Sequence, residues 1–180
     1  MLTWFARRYL DRFEREWSYD MGYARAVLEA GGYEAIAPLS GIQKAMSYRR
    51  EVPTDVFFTA KMVSTRSGDC GPCLQLVAEM ASRAGVAQKT IAAVIAGDRD
   101  AMPEPVRLAY DFTRAVLARD GWDGPAREAL ERRYSKRAMI SLAYAIATAR
   151  FYPDFKYALG EGHACERVRV GNLEVVPRPV

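Results

Sequence analysis

The chain has 180 residues, of which 50% are apolar and 27% charged, and its formal net charge is +4. These values are typical of one globular domain with a sizeable core. Basic residues are interleaved with acidic ones, which argues against a nucleic-acid-binding surface, and no apolar run reaches the roughly 18 residues that a membrane span needs. The first residues lack the features of a signal peptide. We therefore expect a cytoplasmic protein with neither nucleic acid nor membrane as a partner.

Apolar residues recur every three or four positions along most of the chain, and this period predicts helices throughout. Glycine and proline residues mark the breaks between them. The first helix carries an unusual number of aromatic side chains for a terminal element, so we expect it to pack on the body or across an interface between copies of the chain. The predicted helices cover residues 2–17, 21–30, 33–48, 53–65, 70–84, 87–96, 106–117, 125–133 and 136–151.

The C-terminal part of the chain changes character. The segment 136–151 is apolar almost all round and is predicted to be a central, buried helix. Residues 167–170 and 173–176, joined by a two-residue turn, predict a small β-hairpin that we expect to be an appendage to an all-α body. The predicted organisation is one domain with an N-terminal helical extension (1–50), a core (51–160) and a tail with the hairpin (161–180).

The most informative motif is Cys70-Gly71-Pro72-Cys73, at the start of a predicted helix. Two thiols at this spacing can close a small disulfide ring, and the amide groups at a helix N-terminus favour a thiolate. In a reducing compartment such a pair is more often redox-active or metal-binding than a permanent cross-link. Helical periodicity turns Cys73 toward the interior and leaves Cys70 at the mouth of the helix. The motif predicts a redox pair, although two small buried apolar residues would fit the same sequence.

Two neighbours can influence this pair. Arg66 would favour a thiolate on Cys70 if the junction folds it back, whereas Asp69 would oppose ionisation unless it caps the helix or accepts a proton. Asp69 and Ser67 are both candidate N-cap residues. Arg66 and Asp69 are therefore secondary candidates for the catalytic site, after the two cysteines.

The tetrapeptide is also that of thioredoxin, but the helical flanks of the motif disfavour the thioredoxin fold. The wider segment resembles the alkylhydroperoxidase D-like (AhpD-like) branch of the carboxymuconolactone decarboxylase superfamily. This resemblance rests on the motif, on the apolar helix from Lys136, and on three further stretches: 84–86, 91–98 and 106–117. It implies a multi-helix, all-α, commonly oligomeric protein in which the cysteine pair reduces a peroxide or a partner disulfide. No cofactor is implied, and the electron donor would be a dithiol or a protein.

Three positions depart from that family's pattern. Val77 and Pro72 stand where better-known members have histidines, and Arg66 stands where they have a glutamate. The proton relay of the family therefore does not carry over to this chain. Four residues are candidate substitutes: Asp69, Glu79, Tyr110 and Asp111.

His163 is the only histidine of the chain, in the sequence Gly162-His163-Ala164-Cys165. We expect it to lie in a surface loop. Alternatively, Cys70, Cys73, His163 and Cys165 have the ligand types and number of a Cys₃His zinc site, although His163 and Cys165 are closely spaced for two ligands of one ion.

Three functions follow from the sequence. The leading hypothesis is a thiol-disulfide oxidoreductase or hydroperoxide reductase in which Cys70 attacks and Cys73 resolves, with the reverse order left open. The second is a non-catalytic AhpD-like protein for oligomerisation or binding. The third is a structural module stabilised by zinc.

Overall fold

The structure, a computed structural model, describes residues 2–163 and 167–177. It confirms an all-α fold with a small C-terminal antiparallel hairpin. Among the described residues, no helix is long and apolar enough to cross a lipid bilayer. The helices and strands are α1 (Leu2–Trp17), α2 (Gly22–Ile36), α3 (Pro38–Met46), α4 (Thr54–Ser67), α5 (Gly71–Arg83), α6 (Gln88–Ala96), α7 (Glu104–Ala118), α8 (Pro125–Arg133), α9 (Lys136–Ala149), α10 (Phe151–Ala158), β1 (Val168–Val170) and β2 (Leu173–Val175).

The centre of the fold is α4, which packs against α5, α6, α7 and α9. Its last three turns are buried nearly all round, polar residues included. Several of these polar side chains have partners within the fold: Thr59 Oγ1, for example, donates to the carbonyl of Asp55 at 2.7 Å. Oγ of Ser64 has none among the described residues. A helix covered on every side needs partners for its polar groups, because unpaired ones are costly to bury.

The predicted central helix, α9, is covered on one side only. Its residues Ala138, Leu142 and Ala145 are buried against α4, whereas Ile140 and Tyr144 are 48% and 42% exposed. The prediction of a helix buried all round is therefore wrong for α9 and describes α4 instead. Hydrophobicity measures how much apolar surface a helix carries, but the neighbours decide how much of it is covered.

The hairpin is part of the core. Val168 and Val170 are buried in the apolar cluster that α4, α5, α6 and α7 form. The side chain of Gln75 in α5 pairs with the backbone of Arg169, accepting from its N–H at 2.7 Å and donating to its carbonyl at 2.9 Å. The expectation of an appendage is thus wrong, because a hairpin too short to be stable alone packs its valines into the main apolar cluster.

The N-terminal helices form a separate apolar cluster with α10. Leu10, Tyr23 and Leu28 are buried in it, and Leu76 of α5 and Phe155 of α10 pack against it. The predicted break at Gly31-Gly32 is confirmed by Gly32, whose φ of 64° interrupts the helix. The helix α10 itself was not predicted, and it turns out to position much of the candidate site.

Candidate functional site

The cysteine motif starts at a sharp junction between α4 and α5. Asp69, between Gly68 and the motif, has a φ of 47°, which lies in the left-handed region. Cys70 is the N-cap residue of α5, in an extended conformation, so neither Ser67 nor Asp69 is the N-cap. The backbone around the motif is held from the C-terminal side: Tyr157 Oη donates to the carbonyl of Asp69 at 2.9 Å, and the N–H of Gly71 donates to the carbonyl of His163 at 3.1 Å.

Cys70 and Cys73 are joined by a disulfide bond, with their Cα atoms 5.3 Å apart. Both lie in the first turn of α5, where the helix dipole favours a negative charge. They differ in access: Cys70 is 0% exposed, whereas Cys73 is 5% exposed and lines a cavity. A small molecule in this cavity would therefore lie against Cys73 rather than Cys70.

The cavity has a volume of about 520 Å³ and lies between α1, α4, α5 and α10. This size is within the range of small-molecule sites, about 300–1,000 Å³. Its walls are mainly apolar and aromatic, and they include Phe13, Trp17, Tyr23 and Tyr152. The second cysteine of the motif thus lines a cavity suited to a largely apolar ligand.

Tyr19, in the connection between α1 and α2, reaches the same sulfur. Its Oη lies 3.6 Å from Sγ of Cys73, and because a disulfide sulfur carries no hydrogen, the phenol is the donor. Burial raises the pKa of Tyr19 well above the usual value of a phenol, so the hydroxyl stays protonated in the physiological range. Tyr19 can therefore donate a hydrogen bond to this sulfur in either redox state.

Lys156 of α10 stands behind Tyr19. Its Nζ lies 3.5 Å from Tyr19 Oη and over the rings of Tyr19 and Tyr23, at 5.2 and 5.1 Å from their centroids. Burial lowers the pKa of Lys156, an effect that the nearby charges of Asp20 and Glu161 oppose. An ammonium group has no acceptor, so the order of donation is from Lys156 to Tyr19 to Cys73.

A second buried lysine lines the cavity. Lys61 of α4 is 5% exposed, and its Nζ lies 5.5 and 5.6 Å from the ring centroids of Phe57 and Phe58. Its described hydrogen-bond acceptor is the carbonyl of Met46, at 3.5 Å. Burial lowers the pKa of Lys61 to about 8. This value is a consequence of taking an ammonium group out of water.

Arg66 is buried, and its described hydrogen bonds are with residues of α6 and α7 rather than with the cysteine pair. Its Nη1 donates to the carbonyls of Val94 and Ile95, at 2.9 and 2.7 Å, and its Nη2 donates to Tyr110 Oη at 3.1 Å. These carbonyls end α6, where a cation is favourable. The structure thus gives Arg66 a place in the packing of α4 against α6 and α7.

The candidate substitutes for the family's relay are also placed by the structure. Glu79 pairs with Arg83 at 2.9 Å, Asp111 pairs with Arg99 at 2.6 Å, and Tyr110 accepts from Arg66. Asp69 lies next to Cys70 in the chain, and its carbonyl accepts from Tyr157. The described contacts at Cys73 come from Tyr19 instead.

The zinc alternative involves residues at the edge of the described chain. His163 is exposed, as expected, and reaches the motif through its backbone carbonyl. Cys165 lies outside the described residues. Within residues 2–163 and 167–177, no three histidine, cysteine or acidic side chains are grouped as a metal ion would require.

Sequence analysis missed Tyr19, Tyr23, Lys61, Tyr152 and Lys156. The tyrosines are spaced as core residues of helices, and a lysine in a sequence looks like a surface residue. One signal was present for Lys61, since it lies inside an otherwise apolar and small-residue stretch, 56–65. Lys156 and Tyr19 are 137 residues apart, and nothing in the sequence pairs them.

No family model and no curated protein matches the chain. Among solved structures, the fold is similar to that of a Cys-to-Ala variant of the debrominase Bmp8, crystallised in complex with 2,3,4-tribromopyrrole. The TM-score is 0.65, the sequence identity is 20%, and the similarity covers 86% of this chain and 82% of that chain. At this identity the similarity concerns the fold. Membership of the AhpD-like family stays a prediction from the sequence.

Proposed function

We propose that this protein is a dithiol-dependent reductase of small molecules, in which Cys73 attacks and Cys70 resolves. One observation supports this order: Cys73 lines the cavity and accepts from Tyr19, while Cys70 is fully buried behind it. The sequence favoured attack by Cys70, since the first cysteine of the motif stands nearest to the unpaired amides at the helix start. Access of substrate to sulfur is the stronger requirement, because the reacting atoms must come within about 3–3.5 Å.

The hydrogen bonds from Lys156 to Tyr19 and from Tyr19 to Cys73 would activate the attacking sulfur. In the reduced protein, the hydroxyl of Tyr19 would donate to the thiolate of Cys73, and Lys156 would donate to Tyr19. A hydrogen bond to the charged form of an acid lowers its pKa. Tyr19 and Lys156 would therefore do for this chain what histidine and glutamate do in the family it resembles.

With an organic hydroperoxide as oxidant, the reaction balances as follows. The thiolate of Cys73 attacks the terminal peroxide oxygen, so that an S–O bond forms as the O–O bond breaks. The leaving alkoxide takes up the proton that the thiol of Cys73 released on ionisation, which gives the alcohol. The resulting sulfenic acid reacts with the thiol of Cys70, which releases water and closes the disulfide. The hydroperoxide gains two electrons, and the cysteine pair loses two. A dithiol, either free or on a partner protein, then restores the thiols by exchange through the cavity.

Reductive dehalogenation of an aromatic ring is a second candidate function. The aromatic walls of the cavity next to Cys73 favour it, and so does the fold shared with Bmp8, a protein whose name and bound molecule concern bromine chemistry. The balance is equally simple: an aryl bromide and two thiols give the arene, bromide, a proton and the disulfide. Bromide release from 2,3,4-tribromopyrrole by reduced protein, measured by ion chromatography, tests this candidate.

The main test measures turnover of cumene hydroperoxide with dithiothreitol as donor. Wild type and Cys165→Ser should turn over, because the third cysteine is not part of the pair. Cys73→Ser should lose activity. Pre-reduced Cys70→Ser, incubated without dithiothreitol, should consume one equivalent of hydroperoxide and carry a sulfenic acid on Cys73 that dimedone labels. Labelling of Cys70 in Cys73→Ser at the wild-type rate would contradict the assignment of roles. Failure of wild type to reduce hydroperoxides, disulfides or the bromopyrrole would favour the non-catalytic binding protein.

Assembly into a homo-oligomer belongs to the same proposal. Trp4 and Phe5 of α1 are 54% and 57% exposed, and Leu2 and Tyr9 are exposed beside them. Neighbouring aromatic side chains of this kind commonly mark an interface. A second copy packed on α1 would cover them next to the cavity, which Tyr9 also lines.

A further inference from the structure

Lys61 is a buried cation without an anion. Its side chain is 5% exposed and lines the cavity, and the groups described around Nζ are the carbonyl of Met46 and the rings of Phe57 and Phe58. No carboxylate of the described residues forms an ion pair with it, and burial alone accounts for its lowered pKa. Buried charges in proteins are nearly always paired. Lys61 is an exception in this respect.

The cavity does not supply the missing charge from its own walls. Glu16 is the acidic residue among those that line it, and this side chain is about half exposed and pairs with Arg12 at 3.8 Å. A lysine in this situation is costly, and an anion brought by a ligand would offset that cost in a medium of low dielectric constant. The structure thus points to a ligand that carries a negative charge.

The remaining walls indicate the rest of the ligand. Phe13, Trp17 and Tyr152 present aromatic rings, and Leu76 and Met80 add apolar surface. Aromatic rings pack well against another planar group. A volume of about 520 Å³ accommodates a molecule of one or two rings.

We propose that the cavity binds a planar, largely apolar molecule with one acidic group, and that this group forms an ion pair with Lys61. This molecule would be the substrate of the proposed reductase, and only its role as a substrate rests on that proposed function. The apolar body would lie along the aromatic walls toward Cys73. The acidic group would fix its orientation, as single charged groups do in largely apolar sites.

The test compares two probes of the same shape, naphthalene-2-carboxylate and the neutral naphthalene-2-carboxamide. Binding to the oxidised full-length protein is measured by isothermal titration calorimetry at pH 7. We expect the carboxylate to bind wild type at least about tenfold more tightly than the carboxamide, and Lys61→Met to remove this preference. Lys89→Met, which removes an exposed lysine of α6 outside the cavity, should keep it. Lys61→Met should fold, because it removes a buried charge and keeps the length of the side chain.

Three results would overturn the inference: equal affinity of wild type for both probes, a carboxylate preference that survives in Lys61→Met, or no binding of either probe. Its fate is separate from that of the proposed function. The calorimetry uses the disulfide form and needs no turnover, so a protein that binds the carboxylate through Lys61 but reduces nothing would retain the inference and lose the reductase. A protein that reduces substrates but has no carboxylate preference would retain the reductase and lose the inference.

Discussion

Oη of Tyr19 lies 3.6 Å from Sγ of Cys73, although the two residues are 54 positions apart in the chain. Tyr19 belongs to the short connection between α1 and α2, and Cys73 belongs to the first turn of α5. Lys156, from a third part of the chain, lies 3.5 Å behind the phenol oxygen. The N-terminal helices therefore help to form the candidate site, since their connection carries the group that contacts the sulfur.

Replacement of Tyr19 by phenylalanine should make the thiol of Cys73 less reactive. Loss of one hydrogen bond to the thiolate, worth about 1 kcal/mol, corresponds to a roughly fivefold slower alkylation at neutral pH. The pH profile of iodoacetamide alkylation of the reduced protein would move to higher pH. Tyr23→Phe is the matched control, because Tyr23 is also buried beside Lys156 but has no described contact with the sulfur. An unchanged pH profile of alkylation in Tyr19→Phe would contradict the activation of Cys73 by the hydrogen bond from Tyr19.

The stability of the oxidised protein should increase between pH 7 and pH 9.5 because of Lys61. Its pKa is about 8 in the folded protein and 10.5 as the ordinary value, so the unfolded chain binds more protons between these two values. Stability rises with pH wherever the unfolded state binds more protons. The expected gain is roughly 2 kcal/mol, from 1.36 kcal/mol per pKa unit. Burial of Lys156 acts in the same direction.

Urea denaturation at each pH measures this effect. Subtraction of the Lys61→Met curve isolates the contribution of Lys61, because Lys156 and the remaining groups contribute to both. At pH 7 the variant should be the more stable protein, and the two curves should converge as Lys61 loses its charge. Parallel curves over the whole range would mean that Lys61 titrates as an exposed lysine does.

Arg66→Met should destabilise the fold and leave the thiols unaffected. The change leaves two carbonyls of α6 and the hydroxyl of Tyr110 without their described donor, all of them buried. We expect a loss of roughly 2–4 kcal/mol in urea denaturation. Arg132→Ala, which breaks an exposed ion pair, should cost less than about 1 kcal/mol. A stable Arg66→Met protein with slow alkylation of Cys70 would restore the catalytic role considered from the sequence.

Gly68→Ala should disturb the junction that leads to the motif. A Cβ at Gly68 would lie 2.5 Å from Cβ of Pro153, so α10 would have to move, together with Tyr152 and Lys156. Overpacking of this kind costs roughly 1–3 kcal/mol. Gly41→Ala in α3 is the control, because its Cβ meets nothing within 4 Å and alanine is the better helix former. Equal free energies of unfolding for the two variants would show that α10 can move to accommodate the Cβ without loss of stability.

Trp4→Glu should weaken self-association if α1 forms an interface. A buried, unpaired carboxylate is unfavourable between apolar surfaces. Sedimentation velocity at micromolar concentration should therefore show wild type as an oligomer and the variant shifted toward the monomer. Lys136→Glu, an exposed change on α9, should leave the distribution as in wild type. A monomeric wild type under these conditions would remove the proposed interface.

Local patterns in the sequence determined the secondary structure and the first half of the site. The spacing of apolar residues predicted nearly every helix, Gly32 predicted the break in α2, and the alternation around Gly171-Asn172 predicted the hairpin. The position of Cys70 and Cys73 at the start of α5 was predicted for the same reason. All of these depend on interactions within a few residues, which the order of amino acids specifies directly.

Only the tertiary structure decided which helix is central, which cysteine meets the cavity and which side chains surround it. Periodicity tells which face of a helix is apolar but not which neighbour covers it. For this reason the sequence predicts α9 as the central, buried helix, whereas that helix is α4. Lys61 and Lys156 look like surface residues in the sequence, because nothing local indicates that the chain buries them. Tyr19, Cys73 and Lys156 meet through the packing of α5 and α10 against the N-terminal helices, and that contact between distant segments creates the site.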